Sequence, residues 1–262
     1  MNKTLHCLAL GAALSMGSTL ALAQTAAPAA EAKAPYTLTG NVALTNEYRY
    51  RGISQTNKMP ALQGGFDFAH DSGFYLGTWG SNVSWLSDQS SLPAPAPRIN
   101  NSLELDVYGG YKGTAGDLGY DVGLLQYIYP GSYPSAFVKP NTLEIYAAAT
   151  YKMFVLKYSR STTNLFGFAE SKGSGYLDLT GTYELAEGLN LVGHVGRQTV
   201  KNNKPCDYTD YKLGVTKDFA GLSWGLSYID TDAKGSKGEC YANAFNKDLG
   251  KGTALVSVGK TF

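Results

Sequence analysis

The chain ends with Thr253-Ala-Leu-Val-Ser-Val-Gly-Lys-Thr-Phe262, a stretch in which apolar side chains alternate with small or polar ones. Every second residue before the terminal phenylalanine shares one face, which is mainly apolar: Lys260, Val258, Val256 and Ala254. The opposite face carries Thr261, Gly259 and Ser257. Because lipid contacts one face of a membrane barrel strand and water the other, this pattern is typical of the closing strand of a bacterial outer-membrane β-barrel.

Similar alternation recurs along the chain from Tyr36 onward. The strands are predicted at residues 37–51, 61–69, 74–83, 102–111, 118–129, 142–151, 154–160, 175–183, 189–198, 209–217, 222–230 and 253–262. Most of these segments have a length of about ten residues, which at ~3.3 Å per residue and a tilt near ~40° crosses the ~25 Å apolar band of an outer membrane.

The connections between these segments are alternately short and long. The short ones are Gly- or Asp-rich and fit hairpin turns: residues 70–73, 112–117, 152–153, 184–188 and 218–221. The long ones are residues 52–60, 84–101, 130–141, 161–174, 199–208 and 231–252. This alternation predicts an all-β protein, a transmembrane antiparallel up-and-down β-barrel of about 12 strands with both termini in the periplasm. A soluble all-β sandwich or barrel is the alternative.

The N-terminal region has the composition of an export signal. Lys3 precedes an apolar run from Cys7 to Ala23, so residues 1–23 are predicted to be a cleaved secretory signal peptide. Residues 24–35 are rich in alanine and proline and are predicted to be a disordered periplasmic linker. Residues 36–262 form the predicted barrel domain. No later apolar run is long enough for a transmembrane helix, so a mature membrane protein would have to span with strands.

Composition and charge indicate which kinds of partner the protein could bind. The 19 tyrosines suit membrane interfaces, and 22 basic against 21 acidic residues argue against a nucleic acid partner. The predicted location is the cell outer membrane, with outer-membrane lipids, lipopolysaccharide and a small hydrophilic solute as partners. Lysines of the last two long loops could contact lipopolysaccharide phosphates or attract anions, although a solvated loop surface is the simpler interpretation: Lys201, Lys204, Lys234, Lys237, Lys247 and Lys251.

Two cysteines remain after removal of the predicted signal peptide. Cys206 lies in the fifth long connection and Cys240 in the sixth. Because an exported chain folds in an oxidising compartment, we expect these residues to form a disulfide bond. Two free thiols are the alternative, and a metal site is disfavoured because no histidine lies near either cysteine. No metal or cofactor is expected.

Charged and polar residues on the inward faces are candidates for the lining of a pore. They are Glu47, Arg49, Arg51, Asp67, Glu104, Asp106, Asp121, Glu144, Lys157, Asp178 and His194. Basic and acidic groups are expected at one level near the extracellular mouth, where a transverse field would select among ions. The alternative is that these charges pair with one another and close the barrel.

The motif Tyr48-Arg-Tyr-Arg51 has two interpretations. As structure, its tyrosines lie in an outer aromatic girdle and its arginines fill the wet interior. As function, Arg49 and Arg51 select anionic solutes, since a guanidinium offers a planar fork to carboxylate or phosphate. On this functional interpretation Arg49 is the stronger candidate.

An outer-membrane lipid hydrolase is the competing class. Acyl transfer by a serine needs a positioned base, usually histidine. Only His70 and His194 follow the predicted signal peptide, the first at a periplasmic turn and the second on a lumen-facing strand position that lipid does not reach. No catalytic residue is therefore predicted, and the chain is not expected to be an enzyme.

Several segments resemble a known family. They include Arg51-Gly-Ile-Ser-Gln55, Gly73-Phe-Tyr-Leu-Gly-Thr-Trp-Gly-Ser-Asn-Val83, Leu103-Glu-Leu-Asp-Val-Tyr-Gly-Gly-Tyr111, Tyr127-Ile-Tyr-Pro-Gly131 and the closing Lys-Thr-Phe. This pattern is similar to the proteobacterial outer-membrane proteins called TorF-type porins, also labelled Gcw_chp. The resemblance implies a barrel through which small hydrophilic solutes diffuse. It does not indicate a particular substrate or particular functional residues. A non-conducting barrel with a structural or adhesive role for its loops is the alternative.

Overall fold

The structure, a computed structural model, describes residues 34–91, 98–135 and 137–262. The predicted signal peptide and the predicted linker up to residue 33 lie outside these ranges. Within the described ranges, no helix is both long enough and apolar enough to cross a membrane.

Fourteen strands follow one another in the part of the chain that the structure describes. They are β1 (Tyr36–Thr45), β2 (Arg49–Tyr50), β3 (Ile53–Ser54), β4 (Ala61–His70), β5 (Phe74–Asn82), β6 (Leu103–Ala115), β7 (Leu118–Ile128), β8 (Thr142–Tyr151), β9 (Phe154–Ser161), β10 (Gly175–Ala186), β11 (Leu189–Thr199), β12 (Tyr208–Phe219), β13 (Leu222–Thr231) and β14 (Thr253–Thr261). All except β2 and β3 join one closed sheet. In this sheet β4 lies next to β1, each later strand lies next to the strand before it along the chain, and β14 closes the barrel against β1. The predicted twelve-stranded antiparallel barrel is confirmed.

The first and last barrel strands close the sheet. Asn41 of β1 pairs with Thr261 of β14, and the register continues to Thr45 opposite Ser257. Beyond β14, Phe262 exchanges two backbone hydrogen bonds with Gly40, at 2.7 and 2.9 Å. Since β1 also pairs with β4 on its other side, the barrel has no unpaired edge strand.

The two faces of the sheet differ in polarity. Large apolar side chains point outward and are exposed, among them Leu38 at 67%, Leu62 at 62% and Leu213 at 62%. The alternate positions carry mostly small, hydroxylated, tyrosyl or charged side chains that face the interior. This is the arrangement expected of a barrel with lipid outside and a polar lumen inside. We call the two rims the turn end, with the short connections, and the loop end, with the long ones.

Strand β1 is shorter than predicted. The alternating pattern predicted a strand to Arg51, but β1 ends at Thr45, whose hydroxyl donates a hydrogen bond to Glu47 O (2.9 Å). The chain then turns inward, and β2 and β3 form a small hairpin whose turn places Arg51 and Gly52 at positive φ, 47° and 78°. Asn46 still bonds to Val256 of β14, whereas residues 47–55, here called the inserted loop, lie inside the mouth of the barrel instead of extending its wall.

The main apolar cluster fills the loop end of the interior. Its buried members are Tyr48, Ala61, Trp79, Val83, Leu86, Ile99, Tyr108, Leu125, Tyr127, Tyr129 and Tyr146. Tyr48 of the inserted loop thus packs against side chains from the barrel wall, and Leu86 of the second long connection is fully buried beside them. The loop end of this barrel is closed by its own chain.

Candidate functional site

The inserted loop is anchored to the wall by a buried carboxylate. The Tyr48 hydroxyl donates to Glu104 Oε1 and the Tyr129 hydroxyl donates to Glu104 Oε2, both at 2.6 Å. Burial raises the pKa of Tyr48 and of Tyr129, so both phenols stay protonated and act as donors. Tyr48 is only 6% exposed, and Tyr50 packs against the same cluster. Of the two interpretations of the motif, the one that places these tyrosines in an outer aromatic girdle is therefore wrong.

Arg51 connects the inserted loop to three wall strands. Its Nη2 lies 2.7 Å from Glu144 Oε2 of β8, and its Nη1 donates to Gln198 Oε1 of β11 at 2.9 Å. The guanidinium also stacks over the ring of Tyr176 of β10, 4.2 Å from the ring centre. These contacts leave the planar fork of Arg51 occupied by protein groups.

Arg49 is occupied in the same way. Its Nε lies 3.0 Å from Glu47 Oε1, and its Nη1 donates to the backbone carbonyls of Gly52 (2.8 Å) and Leu249 (2.9 Å). The Arg49 side chain is 1% exposed. Both predicted arginines therefore lie inside the barrel, but each is paired with a carboxylate and the inserted loop carries them.

The other acidic candidates of the loop end lie beside this anchor. Asp106 is 2% exposed, lies opposite Trp79 in the sheet, and has one carboxylate oxygen, Oδ1, without a hydrogen-bond partner within the described residues. Glu104 and Glu144 are equally buried at 1% and 2%. In the part of the chain that the structure describes, no group of three or more His, Cys, Asp or Glu residues is arranged to hold a metal ion.

The remaining candidates line the lumen between the inserted loop and the turn end. Asp67 accepts a hydrogen bond from the Tyr108 hydroxyl, and Asp121 accepts one from the Tyr75 hydroxyl, each at 2.6 Å. Lys157 Nζ lies 4.1 Å from the centre of the Tyr146 ring. The side chains of Asp67, Asp121, Lys157 and Asp178 are all half-buried, so they border open space inside the barrel.

His194 belongs to a polar network on the wall. Its Nε2 lies 3.0 Å from Asp210 Oδ1 and 3.1 Å from the Tyr176 hydroxyl, and its Nδ1 lies 2.8 Å from Thr180 Oγ1. Thr180, His194 and Asp210 follow the hydrogen-bond order of an acyl-transfer triad. However, β10 pairs with β9 and β11 on both sides of Thr180, so the nearby backbone N–H groups are committed to the sheet instead of forming an oxyanion hole.

Carboxylates outnumber cations on the inner wall. The inward-facing acids are Asp67, Glu104, Asp106, Asp121, Glu144, Asp178 and Asp210, and the inward-facing lysines are Lys112, Lys157 and Lys212. Asp210, Lys112, Lys212 and Gln198 are absent from the sequence-based candidates. The alternation within their strands places all four on the polar face, so that pattern is the signal that would have found them.

The last long connection holds the inserted loop from above. Cys206 and Cys240 form a disulfide bond, and the Tyr241 hydroxyl donates to Cys206 O at 2.6 Å. Further along this connection, Leu249 packs against Ile53 and its carbonyl accepts a hydrogen bond from Ser54 N at 2.9 Å. The disulfide thus fixes the segment that covers the β2–β3 hairpin.

Known proteins share the architecture of this barrel. The KdgM porin, solved in complex with disordered oligogalacturonate, superposes with a TM-score of 0.50 at 7% identity, covering 86% of this chain and 98% of KdgM. The NanC porin gives a TM-score of 0.50 at 10% identity, with coverages of 86% and 98%. At such low identity the likeness concerns the fold. No curated protein sequence matches the chain. Residues 29–262 match the family model described as a bacterial protein of unknown function (Gcw_chp), and the chain therefore belongs to the Gcw_chp family.

Proposed function

We propose that this protein is an outer-membrane, porin-like channel through which small hydrophilic solutes diffuse passively, as the resemblance to TorF-type porins implies. The observation that carries this proposal is the half-buried, charged lining between the inserted loop and the turn end. A barrel interior that served only as a packed core would not need charged groups bordering open space, whereas the lumen of a channel does.

The outer surface supports the membrane location. Exposed leucine, valine and aromatic side chains cover the outward positions of the barrel strands. In outer-membrane barrels the short turns face the periplasm and the long loops face outward. On this orientation the inserted loop closes the extracellular mouth, and the lumen below it opens toward the periplasm.

Conduction requires the inserted loop to yield. In the closed arrangement Tyr48 and Arg51 occupy the space that a solute would cross. Because carboxylates exceed lysines on the inner wall, the open channel prefers cations over anions. Arg49 and Arg51 anchor the inserted loop, and the acidic wall sets the selectivity.

Reversal potentials in planar bilayers under a KCl gradient test this proposal. The full-length chain should conduct in discrete steps with a preference for K⁺ over Cl⁻. A triple variant Asp67→Asn, Asp121→Asn, Asp178→Asn should reduce that preference. The matched control replaces three exposed acids of the turns, Asp71→Asn, Asp117→Asn and Glu187→Gln, and should leave it unchanged. A preference for Cl⁻, or equal effects of both triple variants, would contradict the proposed selectivity.

A non-conducting barrel with a structural or adhesive role is the second candidate. The observation that favours it is the closed loop end, where Leu86 and Tyr48 are buried under their own loops. The two candidates differ in what happens when the inserted loop is removed, since only a channel then gains conductance.

A further inference from the structure

A group of exposed cations lies on the outer surface of the barrel at the loop end. Arg160 is the last outward-facing residue of β9, and Arg197 is near the end of β11, also facing outward. Lys172 and Lys201 are exposed on the two connections directly above them. We call Arg160, Lys172, Arg197 and Lys201 the basic rim.

The sheet register brings these residues together around β10. Gly175 of β10 pairs with Arg160 on one side and with Thr199 on the other, and Leu177 pairs with Arg197. Next to the strand, a Cβ atom placed on Gly173 would lie 3.5 Å from both Arg160 Nη2 and Lys201 Cδ. The guanidinium of Arg160 and the side chain of Lys201 therefore flank the same glycine.

The basic rim stands at the border of the apolar outer surface. Two residues before Arg160, Tyr158 is 47% exposed, and two residues before Arg197, Val195 is 40% exposed. Leu177 between them is 48% exposed. In a membrane these apolar side chains contact acyl chains, so the adjoining cations lie at the level of the outer-leaflet headgroups.

The cations of the basic rim form no ion pair with the residues that the structure describes. In the described ranges the ion pairs join Glu47 with Arg49, Glu144 with Arg51 and Asp210 with His194, so none involves the basic rim. Arg197 Nη1 only donates to the Thr209 hydroxyl, at 3.1 Å. The last outward-facing residues at the loop ends of the other barrel strands carry no positive charge: Leu44, Leu62, Asn82, Leu103, Ile128, Leu143, Gly175, Thr209, Asp230 and Ala254. Arg160 and Arg197 are therefore the two cations among these outward-facing strand ends, and other exposed cations such as Arg98, Lys139 and Lys251 lie on the long connections.

A cleft adjoins the basic rim. It has a volume of about 590 Å³ and is lined by Gly173, Thr199, Val200, Lys201, Asn202, Lys204, Pro205 and Asp207. Asp207, the one acid of this lining, accepts a hydrogen bond from Val200 N at 2.6 Å. The Thr199 hydroxyl donates to Gly175 O and the Asn202 amide donates to Glu170 O, so the two exposed lysines, Lys201 and Lys204, are the groups of this lining that can face an anion.

We propose that the basic rim and its cleft bind the phosphorylated headgroup of an outer-leaflet glycolipid, the lipid A part of lipopolysaccharide. Guanidinium and ammonium groups bind phosphate by charge-assisted hydrogen bonds, and the apolar surface below accommodates the acyl chains of the same molecule. This inference rests on the outer-membrane location in the proposed function but not on conduction.

The test measures lipid binding to the full chain reconstituted in phosphatidylcholine nanodiscs, with bis-phosphorylated lipid A and fully dephosphorylated lipid A as probes. The variant is Arg160→Gln, Arg197→Gln, Lys201→Gln. The control removes three exposed lysines of the last long connection: Lys234→Gln, Lys237→Gln and Lys247→Gln. All six replaced side chains are exposed, so neither variant removes a buried contact. Heat-modifiable gel migration verifies that each variant has folded into a barrel. Single-channel recordings of the same samples report conduction separately.

Removing three cations at the headgroup level should weaken binding of bis-phosphorylated lipid A about 100-fold. The control variant should bind like the unmodified chain, and dephosphorylated lipid A should bind weakly to all three. Equal binding by the variant, an equal loss in the control, or full displacement of the lipid by inorganic phosphate at equal concentration would overturn the proposal. Loss of conductance with lipid binding retained would refute the channel and leave the basic rim intact.

Discussion

Arg51 Nη2 of the inserted loop lies 2.7 Å from Glu144 Oε2 of the barrel wall, and the two side chains are 8% and 3% exposed. This ion pair crosses from a loop that follows β1 to a strand on another sector of the barrel. Arg51 also contacts Gln198 on β11. The inserted loop, which directly follows β1 in sequence, is thereby held to distant strands of the barrel wall. The closed mouth therefore depends on a few identifiable polar contacts.

Breaking this ion pair should loosen the inserted loop. Arg51→Ala leaves the buried Glu144 carboxylate without its cation, which costs about 3–5 kcal/mol in comparable buried pairs. Hydrogen exchange of residues 47–55 should rise, and open-channel events should become more frequent. Lys58→Ala, at an exposed position close to the inserted loop, is the control and should change neither. Unchanged exchange in Arg51→Ala would show that the pair does not hold the loop.

The phenols on Glu104 make a second, independent anchor. Tyr48→Phe or Tyr129→Phe removes one donor to a buried carboxylate and should lower the free energy of unfolding by about 1.5–3 kcal/mol. Tyr36→Phe, at a residue that is 50% exposed, should have almost no effect. Urea titrations of the three variants in the same lipid make the comparison, and equal stabilities would contradict the anchor.

The same tyrosines predict a loss of stability at alkaline pH. Burial raises the pKa of Tyr48 and Tyr129 in the folded protein, so the folded state holds these protons more tightly than the unfolded state. Their contribution is complete below the unfolded tyrosine pKa of about 10 and decreases as the pH rises above it. Urea midpoints measured from pH 8 to 11 should fall at the upper end. The Tyr48→Phe, Tyr129→Phe double variant should show a smaller fall.

Reduction of the Cys206–Cys240 bond should release the cover over the hairpin. The bond joins residues 34 positions apart, and the chain-entropy model assigns such a ring about 3–4 kcal/mol. A Cys206→Ser, Cys240→Ser variant should therefore show faster hydrogen exchange at Ser54, whose N–H bonds to Leu249 O. Exchange at Ser227 in the middle of β13 serves as the internal reference. A uniform change at both sites would mean that the bond acts on the whole barrel instead.

The strand pattern was predictable because lipid and lumen impose a strict two-residue period on a barrel wall. The error at residues 46–51 has the same origin: Glu47, Arg49 and Arg51 alternate with Tyr48 and Tyr50 as they would in a strand. Tyrosine suits a membrane interface and a buried hydrogen-bonded site equally well, so the two-residue alternation alone does not show which of these environments a tyrosine occupies. The glycine at position 52 was the signal that the sequence offered, because glycine favours turns. In the structure Gly52 has a φ of 78° and lies in the turn of the hairpin.

The partners of the lumen charges were less accessible to sequence reasoning. Arg51 and Glu144 belong to separate segments that come together only once the barrel closes and the inserted loop folds inward. Strand periodicity gives the face of a residue but not the contacts of a loop within the mouth. The predicted set therefore contained most of the charged lining, while the pairing of its arginines emerged from the tertiary structure.

Deleting the inserted loop shows whether this loop blocks a polar pathway through the barrel. Residues 47–55 are replaced by a short Gly-Ser linker, and folded barrels, identified by heat-modifiable gel migration, are recorded in planar bilayers beside the full chain. If the inserted loop blocks the lumen, the deletion variant should show larger discrete conductance steps than the full chain, with K⁺ preferred over Cl⁻. A folded deletion variant that leaves the bilayer silent would contradict this prediction, because the polar lumen would then provide no pathway even with its mouth cleared.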